Sequence, residues 1–203
     1  MKTLISLLLG YLIGALNPAA LFAKVKHVDM RKTGTHNLGA SNALIVLGRG
    51  YGLIVMVLDI AKAFLAAKAA KWLFPKLAVA GMAAALGAIL GHIYPFYMHF
   101  RGGKGLAAFG GMVCFYNPWL LVFYLVFGVV LMIAANYSWV LPMYAAATFP
   151  MIVYLQTGNV GLTAFSAAGA ILIACTHWGN IAKAFRGEDK KIRDVIRTKV
   201  LKK

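Results

Sequence analysis

The chain has 203 residues, is 62% hydrophobic and only 13% charged, and has a mean hydropathy of +0.77 with a formal net charge of +16. Soluble domains are nearer half apolar and a quarter charged, so this composition excludes a soluble globular fold and describes an integral membrane protein. The positive charges flank apolar spans, which reports membrane topology and contact with anionic lipid rather than nucleic acid.

The opening stretch, Met1 to Val25, has one Lys and then runs apolar past Asn17-Pro18. That is longer than a signal peptide needs and long enough to span, so it reads as a retained first helix over 3–23. Residues 26–50 are too polar to cross and are expected to lie in the interface, partly helical. Further apolar windows fall at 51–73, 77–97, 105–135, 139–156 and 160–177. The stretch 105–135 is too long for one helix. Pro118 disfavours helix at Asn117 and suits a first turn, so the stretch divides into 105–116 and 118–135.

Charge placement supports that division. Sixteen of the 21 Lys and Arg fall between the first two spans, in the turn holding Arg101 and Lys104, or in the tail from Lys183 to Lys203. Cytoplasmic segments carry the excess of Lys and Arg. Seven spans with the N-terminus outside put all sixteen inside, whereas six would expel the tail. The expected fold is therefore all-α and polytopic, one domain over 1–203 with about seven transmembrane helices and a basic cytoplasmic tail over 178–203. A helix over 105–116 rises only about 18 Å. It completes a crossing only if its start is already sunk in a protein-lined dip, where irregular backbone is tolerated.

Three polar stretches then face the same side. Thr33 to Ala43 holds Thr35, His36, Asn37, Ser41 and Asn42 around Gly34 and Gly39. It reads either as a turn or as a wrap for an anion or polyol. His99 to Gly111 sets Arg101 and Lys104 among Gly102, Gly103, Gly105, Gly110 and Gly111. Converging amides, a helix start near Lys104 and two full charges make an anion site best suited to phosphate. The alternative is a hinge whose basic residues anchor to lipid. The Walker A spacing is absent. The third stretch, Thr176 to Asp189, places His177, Asn180 and Lys183 on one face of a helix end, with Gly187 able to stop it. His177 is either structural or functional there.

Asp59 and Lys62 stand three apart inside the second span and are read as an intramembrane ion pair that fixes packing. Cys114 and Cys175 lie in apolar runs without redox or metal spacing. The tail places Ile192, Val195, Ile196 and Lys199 at helical spacing, as an amphipathic surface helix or a frayed end. No Ser-His-Asp order, HExxH or Cys/His cluster is present, so the chemistry expected is direct transfer between two bound substrates, with no metal or cofactor.

At its polar stretches the sequence resembles the PlsY family of membrane acyltransferases. The first family motif, close to Ser-Gly-Asn-x-Gly-Ala-Thr-Asn-x-x-Arg, is met by Thr35-His36-Asn37-Leu38-Gly39-Ala40-Ser41-Asn42 and ends at Ile45. The second is met by His92-Ile93-Tyr94-Pro95-Phe96-Tyr97 and Phe100-Arg101-Gly102-Gly103-Lys104-Gly105, the third by His177, Asn180, Ile181, Lys183, Gly187 and Glu188. Asp59 and Lys62 resemble the family too.

The resemblance implies transfer of an acyl group from acyl phosphate to glycerol 3-phosphate in a bacterial cytoplasmic membrane. It implies Lys104, His177, Asn180 and Thr35 as catalytic residues. Asn37, Ser41, Asn42, Arg101, Gly102, Gly103, Gly105 and Lys183 are then substrate-binding. Four departures stand out: Ile45 for Arg, Thr35-His36 for Ser-Gly, Trp178 for Arg, and Pro142 near a family serine. Rival readings are a transporter or flippase of an anionic lipid, and a weak relative acting on another acceptor.

Overall fold

The computed structural model describes residues 1–189 and 191–195. Among them regular structure is entirely helical, with no strand. The chain forms two compact units, Met1–Tyr116 and Asn117 to the C-terminus.

In the first unit the expected opening span is broken in two, α1 (Lys2–Ala15) and α2 (Pro18–Val25). Pro18 drives Asn17 out of the helical region. Asn17 then caps α2, its Oδ1 accepting the Ala20 N–H at 2.9 Å. The break leaves the carbonyls of Ala15 and Leu16 outside the helix ladder, a cost of several kcal/mol in hydrocarbon if unmet. Both are met: Tyr97 Oη donates to Ala15 O at 2.8 Å and Lys62 Nζ to Leu16 O at 2.6 Å.

A short α3 (Ala40–Val46) lies in the first loop, as expected of a partly helical interfacial segment. There follow α4 (Arg49–Leu73), α5 (Ala80–Ile93) and α6 (Leu106–Tyr116). Pro95 stops α5 early, and a 3-10 turn at Phe96–Met98 leads into the glycine stretch. Packing of α1 on α5 runs along a glycine seam. At Gly14 a Cβ would fall 2.1 Å from Ala88 O, so the two backbones touch. Such small-residue seams stand in for hydrophobic burial between helices in lipid. The seam fixes α5, whose last turn carries His92.

The second unit holds α7 (Pro118–Ala135), α8 (Val140–Thr157) and α9 (Val160–Phe185). Asn117 caps α7 through the Trp119 and Leu120 N–H groups, and Pro118 is its first residue, as the sequence predicts. Pro142 sits in the first turn of α8, where its missing N–H costs no helix bond. Tyr124 Oη lies 2.8 Å from Thr148 Oγ1 and ties α7 to α8.

Hydropathy ends the last span near 177, but α9 continues to Phe185. Side chains such as His177, Asn180 and Lys183 leave helical backbone bonding intact even where they end the apolar window. Gly187, at φ +73°, closes it in a Schellman motif: its N–H donates to Ala184 O at 3.1 Å and Glu188 N–H to Lys183 O at 2.9 Å. Arg186 Nε donates to Glu188 Oε1 at 3.0 Å, and this partner holds the Glu188 carboxyl below its usual range.

Past a short α10 (Ile192–Val195) the tail is not described, so the expected helical run through Ile196 and Lys199 lies outside the described residues. What is described returns to the α7–α8 turn. Arg193 N–H donates to Asn136 Oδ1 at 2.9 Å, and Lys191 Nζ stands 3.7 Å over the Tyr137 ring. That turn and the start of the tail therefore share one end of the unit.

Among the described residues five helical segments are long and apolar enough to cross a membrane: Lys2–Val25, Ala80–Met98, α7, α8 and α9. α4 has 25 residues but carries Arg49, Asp59, Lys62, Lys68 and Lys71. α6 has 11 residues and rises about 16 Å.

Candidate active site

A buried polar group in the first unit is a triad the sequence only half discloses. Asp59 and Lys62 form the expected ion pair, Lys62 Nζ lying 2.8 Å from Asp59 Oδ1. His92, on α5, is the third member. Its Nδ1 lies 3.0 Å from Lys62 Nζ and 3.2 Å from Asp59 Oδ1. All three are buried, at 7%, 1% and 2% exposure for Lys62, Asp59 and His92. Charges so buried persist only when paired and hydrogen-bonded. Asp59 Oδ1 has Lys62 Nζ and His92 Nδ1 at ion-pair distance, and the triad braces α4, α5 and the α1–α2 break together.

His92 also meets the glycine turn. Gly103 N–H donates to His92 O at 3.1 Å and Gly102 N–H to Ile93 O at 2.9 Å, so the turn is laid along the end of α5. A Cβ on Gly103 would fall 2.1 Å from His92 Nε2 and 2.9 Å from Leu38 O, so only glycine fits. Gly103→Ala is therefore expected to displace the turn and lower acyl transfer by about 5- to 150-fold, an overpacking effect of roughly 1–3 kcal/mol. Size-exclusion chromatography alongside the activity assay separates this from unfolding.

Gly105 takes φ +86° and its carbonyl accepts the Phe109 N–H at 2.8 Å, which starts α6. The first amides of α6 and the half-buried Lys104 are thus set beside one another, at the positive end of a helix. Two of the amides expected to face an anion, those of Gly102 and Gly103, are engaged with α5 instead. The short α6 begins in a turn whose Gly103 and Gly105 are buried by protein.

The first polar loop touches this turn. Asn17 Nδ2 donates to Leu38 O at 3.3 Å, the carbonyl that also lies beside Gly103. Arg31 Nη2 donates to Arg101 O at 2.8 Å and Met98 O at 3.4 Å, clamping the two stretches together. Asn42 is buried and works inside the loop. Its Nδ2 is shared among Met30 O, Asn37 O and Thr33 O at 2.9, 2.8 and 3.1 Å, and its Oδ1 accepts the Thr35 N–H at 2.7 Å. Thr35, Ser41 and Arg101 are exposed, and Asn37 is half-buried. His36 occupies the left-handed region at φ +57°, a conformation in which family glycine is unstrained. Its Nδ1 lies 3.1 Å from Arg31 O. Ile45 is half-buried on α3.

In the second unit His177, Asn180 and Lys183 follow one another along α9 at three-residue steps. His177 is buried, and its Nδ1 lies 2.9 Å from Ile173 O. That carbonyl can only accept, so Nδ1 carries the hydrogen and Nε2 is the nitrogen that can accept in the neutral ring. Asn180 is half-buried, while Lys183 and Trp178 are exposed. Sequence reasoning placed all three members of this group but missed His92 and Arg31. His92 was visible only as a motif position, and Arg31 only as one of many topology-setting charges.

An all-helical integral membrane protein with a lysine-bearing glycine turn at the start of a short helix is the class defined so far. The family model described as glycerol-3-phosphate acyltransferase matches residues 4–187. The chain is 37% identical over 202 residues to a glycerol-3-phosphate acyltransferase of Staphylococcus aureus strain JH9, covering 95% of this chain and 99% of that one. The strain Newman protein matches equally. Among solved structures it is similar to PlsY (YgiH), an integral membrane glycerol 3-phosphate acyltransferase, in its glycerol 3-phosphate form. The TM-score is 0.87 at 27% identity, covering 95% of this chain and 96% of that one. The lysophosphatidic acid form gives 0.85, also at 27% identity, covering 94% and 95%. The chain belongs to the glycerol-3-phosphate acyltransferase family, membrane acyltransferases of phospholipid synthesis.

Proposed function

We propose that this protein transfers an acyl group from acyl phosphate to glycerol 3-phosphate in a bacterial cytoplasmic membrane, giving lysophosphatidic acid and inorganic phosphate. The observation that carries the reading is the buried glycine turn that sets Lys104 beside the first amides of α6. An acyl phosphate presents a dianionic head and a good leaving group, which suits a site rich in fixed positive charge. The acceptor is supported by solved relatives whose forms contain glycerol 3-phosphate and lysophosphatidic acid.

The topology that goes with this reading has seven spans: α1 with α2, then α4, α5, α6, α7, α8 and α9. The N-terminus is outside and the tail is cytoplasmic. It puts the polar loops, the α7–α8 turn and the tail on the inner side, beside anionic lipid.

In the reaction the acceptor hydroxyl oxygen bonds to the acyl carbon, and the bond from that carbon to the bridging phosphate oxygen breaks. The hydroxyl proton ends on the departing phosphate. No acyl-enzyme forms. Lys104 and the α6 amides hold the phosphate and stabilise the charge that develops there, each such donor contributing about 2.7–4 kcal/mol. Arg101 adds long-range attraction for the incoming head. Thr35, Asn37 and Ser41 bind and orient the acceptor, as do His177 and Asn180, since small misplacements cost large factors in rate. Lys183 attracts its phosphate. Asn42, by its bonds, holds the first loop in shape, and Gly102, Gly103 and Gly105 shape the turn.

The test is a product assay on the purified full-length protein, offered acyl phosphate, acyl-CoA or acyl-carrier protein against several polyol phosphates. Lysophosphatidic acid and phosphate are expected from acyl phosphate with glycerol 3-phosphate alone. Vesicle uptake without product would establish a transporter instead. The missing motif arginine weakens acceptor binding in this reading. Ile45→Arg is expected to lower the KM for glycerol 3-phosphate about tenfold, the worth of one exposed charge-assisted contact, and an unchanged KM would show that Ile45 is not the weak point.

A further inference from the structure

We propose that His92 is a ligand of the phosphate taken by the glycine turn, with Asp59 and Lys62 as its positioning residues. The inference rests on the reading of that turn as a phosphate site. Lys62 carries three hydrogens and has three acceptors in place: Leu16 O at 2.6 Å, Asp59 Oδ1 at 2.8 Å and His92 Nδ1 at 3.0 Å. An ammonium cannot accept. A neutral His92 ring that accepts from Lys62 at Nδ1 must hold its hydrogen at Nε2. With Lys62 donating to Nδ1, Nε2 is the nitrogen of the ring that donates.

That donor is turned to the glycine turn. Nε2 lies where a Gly103 side chain would start, 2.1 Å from the Cβ position. The turn needs such a donor, because the Gly102 and Gly103 amides are spent on α5. With His92 at 2% exposure, water competes little for it, and a hydrogen bond from a desolvated donor to a phosphate dianion is among the stronger kinds.

Two amide replacements separate the nitrogens. Glutamine can place its NH2 near the position of Nε2, while asparagine reaches only the position of Nδ1. For the purified full-length protein, His92→Asn is expected to raise the KM for acyl phosphate about tenfold, with the KM for glycerol 3-phosphate changing less than about threefold. His92→Gln stays within about threefold of the parent. Lys62→Met, which keeps the ring but frees it to turn, raises the acyl phosphate KM in the same direction.

A second readout does not depend on turnover: protection of Lys104 by inorganic phosphate against an amine-modifying reagent, read by mass spectrometry. His92→Asn is expected to need about tenfold more phosphate for half protection, and His92→Gln no more than about threefold. Equal shifts in the two variants, or equal rises in both KM values, would overturn the proposal. If the parent protein is protected by phosphate with this Asn/Gln split yet does not turn over acyl phosphate, the donor assignment falls and the role of His92 stands. If Lys62→Met leaves both the KM and the protection unchanged, the positioning role falls.

Discussion

Lys104→Ala is expected to lower the turnover number for acyl transfer by about 10²–10³-fold, the usual loss when one preorganised donor to a developing anion is removed. The residue stands directly before Gly105, whose left-handed backbone precedes α6, so it is anchored at the positive end of that helix. As the acyl–oxygen bond breaks, charge gathers on the departing phosphate. A group that binds this state better than the intact donor acts on rate more than on KM. Lys104→Arg keeps the charge but spreads it over a plane, and is expected to recover only part of the rate. Initial rates in membranes with matched protein levels decide the matter, and near-parental turnover of the alanine variant would remove Lys104 from the chemistry.

Lys62→Met is expected to have the largest effect on stability, roughly 3–5 kcal/mol, because it strands Asp59 as an uncompensated buried charge. It also takes the donor from Leu16 O at the α1–α2 break. Thermal unfolding in detergent should show the loss directly. Asp59→Leu with Lys62→Met removes the stranded charge, and the double variant is expected to lose less than Lys62→Met alone. It should not return fully to the parent, since the Leu16 carbonyl still lacks its donor. A single variant as stable as the parent would show that the triad does not hold these helices together.

The same dipeptide explains both a success and a miss in reading the chain. Asn117-Pro118 sits in an apolar run too long for one helix, so length forced attention onto the proline, and the break falls there. Asn17-Pro18 sits in a run of suitable length, and apolar content alone makes 3–23 look continuous. What reveals the second break is three-dimensional: Lys62 and Tyr97 cap the freed carbonyls from 46 and 82 residues away. His92 escaped for a related reason. Asp59 and Lys62 share a helix face and can be paired by counting, whereas His92 is 30 residues from Lys62 and joins them only because the glycine seam fixes α5 against α1.

Composition marked the first loop as polar and turn-rich but did not separate working side chains from braces. Thr35 and Ser41 are exposed, while Asn42 spends its amide on the loop's own backbone. The apolar window of α9 stops at His177, where hydropathy drops, but backbone bonding continues to the Schellman turn at Gly187. That turn was legible, since glycine is the residue that takes a left-handed helix end without strain.

The capped break also sets an order on biogenesis. Ribosomes add about 5–20 residues per second, and the cap on Ala15 O comes from a residue 82 positions later. For roughly 4–16 s the nascent first segment therefore carries a carbonyl whose native partner has not yet been synthesised. During that interval water, the insertion machinery or lipid headgroups must serve in its place, so α1 and α2 can settle at their final depth only once the 3-10 turn after α5 has emerged with Tyr97.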